Sequence, residues 1–202
     1  MKQAELFHPR IFDENEWAEG YYKRNKWSIS RVGKDFASLL KKGGVTGGEI
    51  LDVGCGFAAV PIEIARAIPG VRIRGIDLGR PLLELGRELV EEAGLGERIE
   101  LSEGDATRIG FSDHSFDIVI NTFLLHIVEN PGIMLGEIER VARPGGHIMI
   151  RDLRRGFLAR LVPKFRTGFT REEARRILED SEIRPGKLSN GPFWWDYMTG
   201  FK

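Results

Sequence analysis

The residues with the clearest chemical potential lie in the stretch ILDVGCGFAA, residues 50–59, which joins an apolar strand pattern to an acidic side chain and two glycines. Gly54 and Gly56 permit a tight turn and let a ligand approach the main chain closely. Asp52 places a carboxylate beside that turn, where it would repel a pyrophosphate and attract a cation. The stretch therefore predicts a cradle for a nucleotide-type cofactor that carries positive charge.

The glycines alone do not distinguish between cofactors, because Gly54-x-Gly56-x-x-Ala59 also fits the dinucleotide fingerprint. Asp77 ends a second apolar run, and an acid at that position can bind the hydroxyls of a ribose in either class. Three further features are not expected of a dinucleotide enzyme: Asp52, a third acidic strand end at residues 103–105, and the block RVARPGGH at residues 140–147.

Together these segments resemble the class I S-adenosylmethionine-dependent methyltransferases, in the branch that acts on small molecules such as quinones and sterols. The resemblance spans residues 49–152 and rests on five segments in the family's order: ILDVGCG, GIDLG, EGDATRIGFSDHSFDIVI, NTFLLHIVENP and RVARPGGHIMIRD. Ala58 stands where the family often has a third glycine, and we expect its backbone to keep a negative φ, where alanine is unstrained.

The elements that would position these residues alternate between strand and helix, which favours an α/β fold with helices on both faces of a sheet. The predicted helices cover residues 30–42, 58–68, 81–93, 131–142 and 171–180, and Thr170-x-x-Glu173 predicts a capping box for the last one. The predicted strands cover residues 49–53, 71–77, 99–103, 116–121 and 147–152. The resemblance implies a Rossmann-like, doubly wound, seven-stranded and mostly parallel sheet, with residues 183–201 adding two strands, the last antiparallel.

The resemblance also implies one methyltransferase domain over residues 1–202. Its parts would be an N-terminal helical lid (1–32), a cofactor-binding core (33–153), a basic cap segment (154–169) and a C-terminal helix with strands (170–202). In such sheets the ligand lies beyond the carboxyl ends of the strands.

The resemblance assigns most of the cofactor contacts to those strand ends. Asp77 would bind the ribose hydroxyls, Asp105 and Ala106 the adenine edge, and Leu78 the adenine face. Gly54, Cys55, Gly56 and Asn121 would flank the methionine end of the cofactor, and Asp52 would favour the positive charge there. Tyr21 or Tyr22 of the lid would contact the same end. An alternative for the lid is an amphipathic helix that only packs on the sheet.

Methyl transfer is an in-line displacement, so alignment and exclusion of water can supply most of the acceleration. A general base is needed only if the acceptor must lose a proton early. His126, in the loop after the fourth strand, is the best candidate; Tyr22 and Glu129 are weaker ones, and a structural role for His126 stays open. His8, His114 and His147 show no spacing typical of a metal site, so no metal is expected.

A cationic stretch follows the fifth strand, with basic residues at 151, 154, 155, 160, 164 and 166 and apolar residues at helical spacing. Such a basic amphipathic segment could cover an anionic acceptor, rest on a membrane surface or contact nucleic acid, or it could be a solvated helix face. We expect a lid that recognises an anionic small molecule.

Composition sets the remaining limits. The 202 residues carry 30 basic and 30 acidic side chains, so no global charge favours nucleic acid. No apolar run approaches the ~20 residues of a membrane span, and a single cysteine favours the reducing cytoplasm. The sequence thus predicts an S-adenosylmethionine-dependent methyltransferase that acts on a small molecule and releases S-adenosylhomocysteine. The alternatives are a nucleic-acid methyltransferase and a non-catalytic cofactor-binding scaffold; the acceptor and the oligomeric state are not encoded in any recognisable motif.

Overall fold

The computed structural model describes residues 15–160 and 162–200, which fall into two compact units, residues 15–105 and residues 106–200. The first fourteen residues of the predicted lid, including His8, lie outside the described residues, as do position 161 and the last two residues of the predicted tail. The side chains of Leu158, Arg160 and Lys164 are likewise not described.

The first unit is a parallel three-stranded sheet with its crossover helices. Its elements are α1 (Asn15–Lys42), β1 (Gly47–Val53), α2 (Ala59–Ala67), β2 (Gly70–Asp77), α3 (Arg80–Glu92) and β3 (Ile99–Glu103). The strands lie in the order β3, β2, β1, and both pairs are parallel. Parallel neighbours need a crossover connection, which α2 and α3 supply. Asp77 pairs with Glu103 in register, so two of the predicted acidic strand ends are adjacent.

The predicted helix over residues 30–42 and the described part of the predicted helical lid form one helix, α1, which runs without a break from Asn15 to Lys42. The predicted boundary between lid and core at residue 32 therefore lies inside one helix. Gly33 lies within α1 and allows α1 and α2 to pack closely. A Cβ added at this position would lie 2.8 Å from the Cβ of Glu63 on α2. The buried residues Ala18, Val32, Phe36 and Leu40 follow one helical stripe.

The second unit contains β4 (Phe116–Thr122), α4 (Pro131–Val141), β5 (Ala142–Leu153), α5 (Arg171–Glu179), β6 (Lys187–Asn190) and β7 (Trp194–Met198). Its strands lie in the order β4, β5, β7, β6. Strands β4 and β5 are parallel, whereas β7 is antiparallel to both β5 and β6, which confirms the predicted antiparallel last strand. The predicted capping box is present, with Thr170 and Glu173 bonded reciprocally at the start of α5.

The start of β5 lies earlier than the sequence predicts, at Ala142 instead of residue 147. Ala142 already pairs with Phe116, and the next pair joins His147 to Ile118, so four residues of β5 form a bulge between them. Gly145 in this bulge has φ +77°, a conformation that glycine adopts at little cost.

The basic segment does not form a single helix, so the alternative of a solvated helix face is wrong. Strand β5 continues to Leu153, and the segment then forms two short 3₁₀ turns, Phe157–Arg160 and Pro163–Arg166. Pro163 lacks a backbone N–H and disfavours a helical conformation at the residue before it. No helix in the described part of the chain has the length and apolarity that crossing a membrane requires.

Candidate active site

The glycine turn after β1 is held against β2 by backbone hydrogen bonds. The N–H groups of Gly54 and Cys55 donate to the carbonyl of Ile76 over 2.8 and 3.0 Å. Gly54 and Gly56 have φ angles of +79° and +51°, so glycine suits both positions. The turn therefore lies beside the carboxyl end of β2, as the motif predicts, and Cys55 is buried within it.

Ala58 does not keep the negative φ that we expect from the sequence. Its φ is +60° and its ψ is +21°, a left-handed conformation that costs a residue with a Cβ roughly 1–2 kcal/mol. Ala58 is fully buried and directly precedes α2. The strained residue stands where the family often has glycine. The glycine turn before Ala58 and helix α2 after it hold the backbone in this conformation.

Asp52 has a buried carboxyl group. Its side chain is 1% exposed, and no described atom donates a hydrogen bond to either carboxylate oxygen. Burial, followed by the nearby negative charge of Asp77, raises the pKa of Asp52 to about 8. An ionised carboxylate in this position requires a positive charge, and a cationic ligand could provide it.

Asp77 fixes the turn through both of its carboxylate oxygens. Oδ2 accepts from the N–H of Gly56 and Oδ1 from the N–H of Gly79, each over 2.8 Å. Burial raises the pKa of Asp77, and the backbone donors of Gly79 and Gly56 oppose that rise. Each carboxylate oxygen has two acceptor sites, so Asp77 keeps the capacity to accept from ribose hydroxyls.

The predicted adenine contacts of the first unit lie next to Asp77. The N–H of Gly104 donates to the backbone carbonyl of Asp77 over 3.1 Å, which holds the end of β3 beside the end of β2. Asp105 follows this link and is exposed. Leu78 is 59% exposed, which is unusual for a leucine and leaves its side chain available to a flat apolar ligand.

Tyr21 and Tyr22 lie on α1 above the glycine turn. Both rings contact Phe57 edge-on, at centroid distances of 6.0 and 5.2 Å, and Tyr21 stacks on Trp17 at 5.1 Å. Burial, with a smaller effect from the charge of Asp77, raises the pKa of Tyr21 to about 12. Helix α1 therefore places Tyr21 within electrostatic reach of Asp77, on the same side of the unit as the turn.

The second unit contains the other predicted residues, Ala106, Asn121 and His126. Ala106 is half-buried after β3. Asn121 is fully buried near the carboxyl end of β4 and pairs in register with Ile150 of β5. His126 is 6% exposed in the loop that follows β4. The other candidate base, Glu129, is exposed and farther along the same loop.

His126 is paired with Asp152, a residue that the sequence analysis does not select. The His126 Nδ1 lies 2.5 Å from Oδ1 of Asp152, and the backbone N–H of His126 donates to Oδ2 over 3.0 Å. An ionised carboxylate can only accept, so the contact with Asp152 favours the tautomer that carries the proton on Nδ1. Asp152 ends the apolar run of β5, as Asp77 ends that of β2. The same sequence signal could therefore have selected Asp152.

Among residues 15–160 and 162–200, no group of three or more His, Cys, Asp or Glu side chains is arranged to hold a metal ion. His114 and His147 instead contact backbone carbonyls, those of Ala142 and Thr199.

The first unit fits S-adenosylmethionine better than a dinucleotide. An orphaned buried carboxylate, Asp52, suits the cationic methionine end, and a pyrophosphate there would be repelled. Asp77 suits a ribose, and the exposed Leu78 suits the face of an adenine.

Comparisons with known proteins agree with this fit. Residues 51–150 match a family described as a methyltransferase domain. The ubiquinone/menaquinone biosynthesis C-methyltransferase UbiE of Geobacter sp. strain M21 is 34% identical over 168 residues, which cover 77% of this chain and 71% of that relative. The demethylmenaquinone methyltransferase of Bacillus cytotoxicus is 38% identical over 104 residues, which cover 51% of this chain and 44% of the relative, less than half of its length.

Among solved structures, a protein of Methanococcus maripaludis assigned to the S-adenosyl-L-methionine-dependent methyltransferases has a TM-score of 0.77. It is 21% identical, and the match covers 92% of this chain and 93% of that one, which confirms the predicted Rossmann-like fold. The fold, the acidic strand ends and the extended similarity to UbiE lead to one conclusion: the chain belongs to the class I S-adenosylmethionine-dependent methyltransferases, in their quinone-methyltransferase-like branch.

Proposed function

We propose that this protein transfers a methyl group from S-adenosylmethionine to a small-molecule acceptor and releases S-adenosylhomocysteine. The observation that supports this most directly is Asp52, a buried carboxylate beside the glycine turn without a hydrogen-bond partner among the described residues. The single cysteine, Cys55, which is not in a disulfide, favours action in the cytoplasm.

The first unit would hold the cofactor. Asp77 would bind the ribose hydroxyls, Leu78 and Asp105 would contact the adenine, and Asp52 would favour the positive charge of the methionine end beside residues 54–56. Tyr21 and Tyr22 would cover that end and exclude water from it. Ala106 and Asn121, in the second unit, are proposed as cofactor contacts on the family resemblance alone.

When bound, S-adenosylmethionine supplies an electrophilic methyl group, and the protein needs mainly to align the acceptor and exclude water. His126 is the proposed general base, with Asp152 as the residue that positions it. The Nε2 of His126 would take the proton of a weakly acidic group on the acceptor while the acceptor's carbon or oxygen bonds to the methyl carbon. A carboxylate that orients an imidazole in one tautomer is a recurrent arrangement for such bases.

The names of two relatives support a proposal for the acceptor class. Two curated relatives are named for quinone biosynthesis, and a quinol ring carries the weakly acidic hydroxyl that a histidine base can deprotonate. We therefore propose a hydroxylated ring compound as the acceptor.

An anionic acceptor, which the basic stretch suggests, has narrower support. Arg155 pairs with Glu173, and Arg166 donates to the carbonyl of Ala159, so both are already committed within the chain. Arg154 also donates to the Pro192 carbonyl, but its buried Nε has no acceptor among the described atoms. Arg154 is the residue that we propose for contact with an anionic group.

Calorimetric titration with S-adenosylmethionine and with NAD tests the cofactor assignment. We expect binding of the first only, and a loss of at least about tenfold in affinity for Asp77→Ala, because a ribose contact and the support of the turn are removed together. Glu103→Gln is the matched control. It changes the end of the neighbouring strand β3, where it removes an exposed ion pair with Arg80. Equal affinity of Asp77→Ala and wild type would refute the site.

Transfer of a labelled methyl group tests the activity. We expect label on a short-chain demethylmenaquinol and none on RNA. Label on RNA would favour a nucleic-acid methyltransferase, and tight cofactor binding without any turnover would favour a scaffold.

A further inference from the structure

The solvent side of α1 carries a row of basic residues, which we call the basic face: Lys23, Arg24, Arg31 and Lys34, with Trp27 between them. These five side chains are all exposed, and two of the cations pair with acidic residues of the same helix, Lys23 with Glu19 and Arg31 with Asp35. Successive residues of this set are one, three or four positions apart, which places all five on one side of the helix. Over its whole length α1 has seven lysines and arginines against three acidic residues, whereas the chain as a whole is neutral. The charge of the protein is therefore unevenly distributed.

Trp27 lies in the centre of the basic face and is 82% exposed, the highest exposure among the large hydrophobic side chains of the described residues. The Nζ of Lys26 lies 5.8 Å from the centre of its ring. An exposed tryptophan surrounded by lysines and arginines is typical of surfaces that bind at the boundary between water and lipid headgroups.

A groove of about 340 Å³ opens beside Trp27, between α1, α2 and α3. Phe57, Ile62 and Leu89 contribute apolar side chains to its wall, and its charged residues balance, with Lys26 and Arg66 against Glu63 and Glu92. Its volume lies within the ~300–1,000 Å³ of ordinary ligand sites. The apolar wall beside Trp27 suits an acyl chain, whereas the attraction for an anionic headgroup comes from the basic face. All of its lining belongs to the first unit.

We propose that the basic face binds an anionic phospholipid surface, with Trp27 as the anchor in the headgroup layer. The apolar stripe of α1 is buried against its own unit, so the helix would lie on the membrane by its charged side and would not insert by its apolar side. Each lysine or arginine near an anionic bilayer adds to the attraction. The basic face carries one aromatic ring, whereas single-stranded nucleic acids are bound on several successive aromatics. This inference is independent of the acceptor in the proposed function.

Flotation of the full chain with vesicles tests the proposal. We expect binding to vesicles that contain phosphatidylglycerol, little binding to pure phosphatidylcholine, and weakening by salt. Arg24→Glu combined with Lys34→Glu should lower the partition coefficient at least about tenfold, because four charge units are changed. Trp27→Ala should also lower the partition coefficient, but it should change the salt dependence of binding less than the double variant does.

The matched control is Arg171→Glu with Arg175→Glu, two exposed arginines of α5 that change the net charge equally. This control should float almost like the wild type. Equal loss in both double variants, or no flotation of the wild type, would overturn the proposal. So would binding of single-stranded RNA through α1 without vesicle association. Calorimetry with S-adenosylmethionine on the same variants should give unchanged affinity, so failure here is distinguishable from failure of the proposed function.

Discussion

The Nδ1 of His126 lies 2.5 Å from Oδ1 of Asp152, and the backbone N–H of His126 donates to the other oxygen of the same carboxylate. One carboxylate thus fixes both the ring and the main chain of the loop after β4. Both side chains are buried, at 7% and 0% exposure, so the ring orientation is held by the core of the second unit. The pairing therefore favours the tautomer that carries the proton on Nδ1.

That tautomer can be observed without any acceptor. We expect nitrogen-15 NMR at neutral pH to show His126 with the proton on Nδ1, and Asp152→Asn to shift the population towards the other tautomer. His126→Gln assigns the signal among the four histidines. A wild-type spectrum with the proton on Nε2 would contradict the pairing. In turnover, Asp152→Asn should lower kcat by about 10²-fold or more, with cofactor affinity unchanged.

Cofactor binding should depend on pH through Asp52. Its pKa of about 8 means that the carboxyl is mostly protonated at neutral pH, whereas a cationic ligand favours the ionised form. Affinity for S-adenosylmethionine should therefore rise between about pH 5.5 and about pH 7.5, a range below the titration of an α-amino group. Calorimetry in buffers of different ionisation enthalpy should detect proton release, and Asp52→Asn should remove it. Binding without proton release would show that Asp52 does not face the positive charge.

The stability of the unliganded protein should change with pH in the opposite direction. In the unfolded chain Asp52 loses its proton above its ordinary pKa of 3.8, whereas burial in the folded protein raises that pKa to about 8. Between these values the unfolded state binds fewer protons, so the contribution of Asp52 to the free energy of unfolding falls by up to about 1.4 kcal/mol per pH unit as pH rises.

Asp52→Asn lacks this titration, so its free energy of unfolding, relative to wild type, should rise with pH across that window. Urea unfolding of both proteins at several pH values measures the difference. Parallel pH profiles of the two proteins would mean that the carboxyl titrates normally in the fold.

The buried ion pair of Arg151 and Asp196 should contribute to the stability of the second unit. The guanidinium donates to both carboxylate oxygens, over 2.6 and 3.2 Å, and lies 4.7 Å from the centre of the Trp194 ring. Asp196→Ala leaves the buried arginine without its carboxylate and should cost about 3–5 kcal/mol in the free energy of unfolding.

The control for this variant is Glu100→Ala, which removes the exposed pair with Arg74 and should cost less than about 1 kcal/mol. Arg151→Met combined with Asp196→Leu should recover much of the loss, since it removes both charges together. A loss for Asp196→Ala no larger than that for Glu100→Ala would mean that the pair is solvated.

Much of the first unit could be predicted because its signals are local. Strand β3 has the predicted bounds, and β1, β2, α2 and α3 differ from prediction by no more than two residues at either end. The glycine turn and the acidic residues at the strand ends follow from residue type and position alone. By contrast, the helical spacing of the apolar residues after β5 does not produce a single helix, because Pro163 interrupts the segment.

The sequence by itself determined the alternation of strand and helix, the turn at residues 54–56 and the acids at the ends of β1 and β2. These depend on interactions between neighbours in the chain. Only the tertiary structure decided that Asp152 holds His126 from 26 residues away, that Ala58 is left-handed, and that Arg151 is buried against Asp196. Each of these results from packing between segments distant in sequence, where steric fit and desolvation outweigh the preference of the single residue.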